Sequence, residues 1–348
     1  MPDQKVTGQE TQKFDFDQAV AEAKRDYPKE TKDIVFINTS SPDFYQQLDA
    51  FRIEAKLSPQ QFENLITRAQ NKEAVATVMN GYKIVAVPAD REASLGQFPD
   101  SQYKSSYFCF QHELGHFVVP KAHGKVEGAR EEDWRENAAD FFAVTHGIQA
   151  GVFDKKDIID QATNRSMSAL LSFGDINHIT TMTLDAVAIN PKSIDFLSLS
   201  KGDIKAVSMQ HANAFEFNAK THSQFSDMMS AGKSVFDNDD KEQAVKTRLN
   251  ILHDICRDAP ANSQSFYLAA RILDKVMELG AVTNGKESVK IDTSGDEWKK
   301  TRDIIAEKTG DRDIGGKKAL ESSSFLKPEA KQQGFVSLVR NKIKPLKI

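Results

Sequence analysis

Five consecutive residues, His112-Glu113-Leu114-Gly115-His116, place two imidazoles and a carboxylate at a spacing that suits a metal ion. On a helix, residues four apart lie on one face. His112 and His116 can then aim ring nitrogens at one ion, and Glu113, one residue round, can reach a water bound to it. Zinc lowers the pKa of such a water toward ~7. A carboxylate beside that water can take its proton and later deliver it to a leaving amine. The plainer alternative is a pair of ordinary histidines on a solvated helix face. The flanks argue against it, because Tyr107, Phe108, Cys109, Phe110, Leu114, Phe117 and Val118 make the helix largely apolar. Two histidines and a glutamate inside a buried helix need a partner. Gly115 weakens the helix, and a close approach by another element would explain its presence.

A catalytic zinc uses three protein ligands and one open position, and two histidines with one glutamate are a standard set. The segment Trp134 to Ala143 supplies Glu136, twenty residues after His116, and Asp140 one helical turn later on the same face. A metal-bound histidine usually donates its other ring N–H to a carboxylate, and Asp140 is placed for that role. Ala138, Ala139 and Ala143 keep this second helix slim, so that it can pack closely. The competing interpretation is a surface carboxylate pair.

These two segments resemble the motifs of the gluzincin metallopeptidases, the thermolysin-like group with His-Glu-x-x-His and a downstream glutamate. The resemblance covers roughly residues 75–150. It implies that His112, His116 and Glu136 bind one zinc, that Glu113 is the general base, and that Asp140 steadies a ligand histidine. It also implies a strand beside the active-site helix that holds extended substrate. The short Glu-x-x-Ala-Asp form is similar to that of small bacterial zincins without long insertions. The chain departs from the metzincins, whose third histidine follows a glycine: His123 lies seven residues beyond His116, and no Gly-x-x-His is present there.

Such enzymes usually add a donor for the tetrahedral oxyanion. His178, in Phe173-Gly-Asp-Ile-Asn-His178, is the leading candidate, with Asp175 to orient it; the alternative is a capping aspartate beside an incidental histidine. His211 and Tyr267 are weaker alternatives. His146 lies ten residues past Glu136 and reads as structural, and Cys109 reads as a small buried side chain.

These residues need elements to hold them. Residues 14–27 carry a helical stripe ended by Pro28. Residues 33–38 form a compact apolar run that reads as a buried strand. Ser41-Pro42 and Ser58-Pro59 each announce a helix start. In residues 74–88, two β-branched runs flank Asn80-Gly81, the preferred pair for a two-residue hairpin turn. A loop over residues 90–102 precedes helices over about 104–118 and 132–147, and the chain beyond 150 is mostly helical. The expected fold is α+β: a small antiparallel sheet of 33–38 and the hairpin, packed zincin-like on the active-site helix, with a helical C-terminal part completing the cleft. The expected organisation is a disordered 1–13, a catalytic domain over 14–150, a helical part over 151–280, and a loosely ordered region with a basic tail over 281–348.

The composition fits a globular chain: 348 residues, 39% apolar and 28% charged. A net charge of -4 gives no footprint for nucleic acid. The N-terminus has no apolar signal segment, and no apolar run approaches a bilayer span. Two cysteines, Cys109 and Cys256, make no disulfide framework and point to a reducing compartment. The expectation is a cytoplasmic protein, or one exported by a route without an N-terminal signal peptide. Residues 317–348 carry eight Lys or Arg against two Glu, and their Phe335–Ile343 stretch suggests a short amphipathic helix able to touch an acidic surface. The expected partner is a peptide or protein substrate. Two other classes stay open: a zinc-binding regulatory or interaction module of zincin fold that cleaves nothing, and a helical binding protein with an accidental motif.

Overall fold

In the computed structural model, the described residues are 13–90, 98, 101–120, 129–171, 176–189, 194–236, 240–284 and 287–310. His123, Gly174, Asp175, residues 1–12, most of the 90–102 loop and the basic tail lie outside them. The chain divides into two compact units, Met1–Val118 and Val119–Ile348, a boundary that falls inside the segment expected as one catalytic domain.

The first unit runs α1 (Phe16–Asp26), β1 (Ile34–Asn38), α2 (Phe44–Glu54), α3 (Pro59–Gln70), β2 (Val75–Met79), β3 (Tyr82–Val87) and α4 (Gln102–Val118). Ser58 caps α3 with a complete capping box: its side chain accepts from Gln61 N, and the Gln61 side chain accepts from Ser58 N. The Ser41-Pro42 start is displaced, because α2 begins only at Phe44, after Asp43. The hairpin forms where Asn80-Gly81 demanded it, with φ of +49° and +88° at the two turn residues. Asn80 Nδ2 also donates to Ala55 O (3.0 Å) and Lys56 O (2.9 Å), tying the turn to the end of α2.

The sheet is mixed rather than antiparallel. Its order is β1-β3-β2, with β2 antiparallel to β3 and β1 parallel to β3. Parallel pairing needs a crossover, and α2 and α3 carry the chain between β1 and the hairpin. The central β3 is therefore apolar on both faces, and Ile84, Val85 and Val87 are fully buried. Ile84 and Ala86 face a cluster with Phe44, Leu48 and Phe51 of α2 and Leu65 of α3. By alternation Val85 and Val87 face the other side, where α4 packs against β3 and β2. There Phe36 of β1 stacks on Phe110 of α4, with centroids 6.0 Å apart at 23°. Phe14 and Phe16 close over the same Phe110 ring. The sheet is thus sandwiched between α2/α3 and α4, and α4 is wedged in place through Phe110, two residues before His112.

The second unit is helical: α5 (Ala129–Gln149), α6 (Lys155–Leu171), α7 (Thr181–Ile189), α8 (Lys201–Phe215), α9 (Ala219–Phe236), α10 (Lys241–Asp258) and α11 (Gln264–Leu279). A ribbon of β4 (Ala281–Thr283) and β5 (Ser288–Lys290) follows, then α12 (Asp296–Thr309). Single-turn 3₁₀ segments cover Ile176–His178 and Phe196–Ser198. One core cluster of this unit joins Leu170, Phe217, Phe225, Leu252, Phe266, Leu268 and Leu273. The region expected to be loosely ordered is built up to residue 310. Val282 and Val289 of the ribbon and Trp298 and Ile305 of α12 enter the same core. Trp298, Thr301 and Ile305 stand three and four residues apart and make one narrow buried face. Ile304 packs partly buried beside that face, and the Lys- and Asp-rich positions of α12 lie toward solvent.

The described part of the molecule is α+β and mostly helical with a small sheet. Among the described residues, no helix is long and apolar enough to cross a membrane.

Candidate metal centre

Within the first unit, α4 carries the histidine motif as one uninterrupted helix. His112 and Glu113 are buried and His116 is half-buried. The Phe108 ring, one turn earlier, stacks on the His112 ring at 5.9 Å and 20°, and Phe98 packs behind Phe108. Ser106 Oγ donates to Ala89 O (3.0 Å), linking the first half of α4 to the chain leaving β3. Helix position and packing together fix where the imidazoles point.

The two imidazoles meet edge to face, with centroids 4.7 Å apart at 86°, and their Nε2 atoms are 3.2 Å apart. The Glu113 carboxylate completes a group whose candidate ligand atoms all lie within 4.8 Å of one another. Two nitrogens each ~2.0–2.1 Å from a tetrahedral zinc stand ~3.3–3.4 Å apart. The observed separation matches that chord, and it also fits an N–H···N hydrogen bond between neutral rings. The donor set is compatible with a divalent ion that accepts nitrogen and oxygen ligands.

Within the second unit, Glu132, Glu136 and Asp140 recur every four residues along one face of α5. The segment 177–180 supplies a side chain to each. Asn177 Nδ2 donates to Glu132 Oε2 (3.2 Å), and His178 Nε2 lies 3.5 Å from Glu136 Oε2. Thr180 Oγ1 donates to Asp140 Oδ2. Asp140 is fully buried, and Arg165 of α6 clasps it with Nε on Oδ2 (2.8 Å) and a second donor, Nη2, on Oδ1. The sequence expected Asp140 to accept from a ligand histidine; within this unit it accepts from Arg165 and Thr180.

On the neighbouring face of α5, buried Asp133 accepts from Phe217 N (2.7 Å) and from Asn137 Nδ2 (3.0 Å). Burial pushes its carboxyl up to about 7; the Phe217 N–H opposes that, and the Glu216 charge adds to it. Thr183 Oγ1 donates to Asn137 Oδ1, so α7 is hydrogen-bonded to α5 here as well.

The expected residues therefore gather in two groups: His112, Glu113 and His116 on α4, and Glu136 with His178 in the second unit. His211 Nε2 donates to Thr183 O (3.1 Å), and burial drives its pKa down to about 4. Tyr267 donates to Asp185 Oδ2 (2.8 Å), which Arg271 Nε also contacts (3.0 Å). Both weaker oxyanion candidates are thus engaged in buried structural bonds. His146 is buried with its ring 4.5 Å from that of Phe142, and Cys109 is a buried free thiol. Sequence reasoning missed Arg165, Asn177 and Thr180. Arg165 had a signal: it shares the buried α6 face with Ile158, Ala162 and Ala169, where an unpaired cation would be untenable. Comparison with known proteins finds no matching family model, no matching curated protein and no matching solved structure.

Proposed function

We propose that this chain is a zinc-dependent hydrolase acting on peptide bonds. The observation that carries the reading is the 3.2 Å approach of two Nε2 atoms on a packed helix, with a carboxylate in the same group. His112 and His116 hold the ion, and Glu136 is assigned as the third ligand from its spacing in the sequence. When bound, zinc supplies an acidified water and polarises the substrate carbonyl. Glu113 takes the water's proton on its carboxylate and returns it to the leaving amine. Burial of α4 around His112 and Glu113 keeps both side chains in one arrangement, so little reorganisation accompanies the proton transfer. An extended peptide would add to the edge strand β2, against which α4 packs, through main-chain hydrogen bonds.

The first measurement is metal content by mass spectrometry on purified protein and on His112→Ala. About one zinc per chain, lost in the variant, is the expected result. No metal in either protein after zinc is added back would remove the hydrolase reading. Glu113→Gln should keep the metal and abolish peptide cleavage, since the ligands stay while the base is gone. A zinc-loaded protein that cleaves no peptide in a library would instead be a zinc-binding regulatory module. Glu136→Ala should weaken zinc binding severely; unchanged occupancy would assign the third ligand elsewhere.

A further inference from the structure

We propose that Lys83 is a specificity-determining residue, which selects a glutamate in the peptide strand that pairs with β2. The inference rests on the reading of β2 as the edge that holds extended substrate, and every residue it uses lies in the first unit. The hairpin decides which backbone atoms that edge offers. In a two-residue hairpin the pair flanking the turn is hydrogen-bonded, and bonded and non-bonded pairs alternate from there. Met79 pairs with Tyr82 at the turn, so Thr77–Ile84 and Val75–Ala86 are the other bonded pairs. Ala76 and Val78, opposite Val85 and Lys83, turn their N–H and C=O groups outward instead. Among the described residues no strand lies on that side of β2. An antiparallel peptide would exchange its main-chain bonds with these two residues.

The same alternation fixes the side chains. Residues opposite one another across a ladder share a face, so the peptide residue opposite Val78 stands in one row with Val78 and Lys83. That row is on the α4 side of the sheet, where the Lys83 ammonium lies 5.8 Å from the centre of the Phe117 ring. Val78 is 60% exposed, an apolar side chain left uncovered at the edge. Lys83 is half-buried, and among the described residues no carboxylate pairs with it. An incoming side chain therefore meets first an apolar surface and then a cation without a counter-ion. The Lys83 Cα stands two strand spacings, about 9.5 Å, from the incoming residue. A glutamate answers both features: its methylenes cover Val78, and its carboxylate extends toward the lysine that reaches from the other side.

The test is binding of fluorescent heptapeptides, Thr-Val-Thr-Xaa-Thr-Val-Thr with blocked ends and Xaa as Glu, Gln or Lys, to the full chain carrying Glu113→Gln, followed by anisotropy with zinc present. Lys83→Met and Lys83→Glu are made in the same background. Cleavage of the same peptides by the chain that keeps Glu113 is measured separately. The Glu peptide should bind about 2–5-fold more tightly than the Gln peptide, the worth of one solvent-accessible ion pair, and the Lys peptide more weakly than either. Added salt should shrink these differences. Lys83→Met should level the three peptides and Lys83→Glu should invert their order, with thermal unfolding little changed. Methylating the backbone nitrogen of Xaa should abolish binding, because that N–H donates to Val78 O. Equal binding of the Glu and Gln peptides would overturn the proposal, as would a glutamate preference that survives Lys83→Glu, undiminished binding of the methylated peptide, or no binding of any peptide. Glutamate selection without cleavage by the chain that keeps Glu113 would overturn the hydrolase reading alone, and cleavage without selection would overturn only the role of Lys83.

Discussion

Asp140 has no solvent exposure, and Arg165 keeps only a tenth of its side-chain surface in water. Removing one member of such a pair leaves an uncompensated buried charge, whereas a solvated pair is worth little. Arg165→Met should therefore cost about 3–5 kcal/mol, read as the shift in a denaturant midpoint at constant slope. A loss below about 1 kcal/mol would mean that the pair is solvated in solution. The histidine motif was legible in the sequence because its chemistry is written in contiguous residues at a helical spacing. The Asp140–Arg165 pair was not, because its partners are 25 positions apart on different helices, and the apolar face of α6 signals that Arg165 needs a partner without naming it. The assignment of Asp140 to a histidine came from its place one turn after Glu136 and from the motif resemblance, and neither carries information about α6.

Elements were legible where local chemistry dictated them. Asn80-Gly81 specified the hairpin, and Ser58-Pro59 specified the start of α3. The parallel β1–β3 pairing was hidden, because register and direction are set by which hairpin strand sits inside, and that depends on long-range packing. α12 was misread because its buried face is narrow, Trp298, Thr301 and Ile305 with Ile304 packed partly buried beside them. The C-terminal end of α5 shows a similarly non-local constraint. After Gly151, at φ +67°, the chain reverses, and the Phe153 ring folds back onto Gly147. A Cβ on Gly147 would stand 1.8 Å from that ring. Gly147→Ala should cost about 1–3 kcal/mol by overpacking, and adding Phe153→Leu should recover part of it in thermal unfolding. Equal stability of Gly147→Ala and wild type would show that the ring moves aside freely.

At the scale of the molecule, two buried groups of the second unit give opposing responses to pH. The Asp133 pKa is raised in the fold, to about 7, so its protonated form is favoured there. Its contribution is fully present below the ordinary carboxyl range and is lost as pH rises through about 7. The His211 pKa is depressed to about 4, so its contribution is present above the ordinary imidazole pKa of 6.5 and is lost as pH falls through about 4. Between those limits the two trends offset, and near pH 7 Asp133 acts alone. Asp133→Asn, which removes the charge and keeps an acceptor for Phe217 N, should abolish the decline in unfolding free energy between pH 6 and 8. An unchanged decline would assign it to another group. The hairpin turn adds a limit of another kind, on chemical lifetime. Asn-Gly is the dipeptide whose asparagine most readily cyclises to a succinimide and deamidates, because glycine leaves the following amide nitrogen unhindered. Here both bonds from Asn80 Nδ2, to Ala55 and Lys56, hold the side-chain amide away from that attack. Deamidation at Asn80 during storage would then proceed only through opening of the turn from α2, and the rate at which aspartate and isoaspartate accumulate there would serve as a clock for that opening.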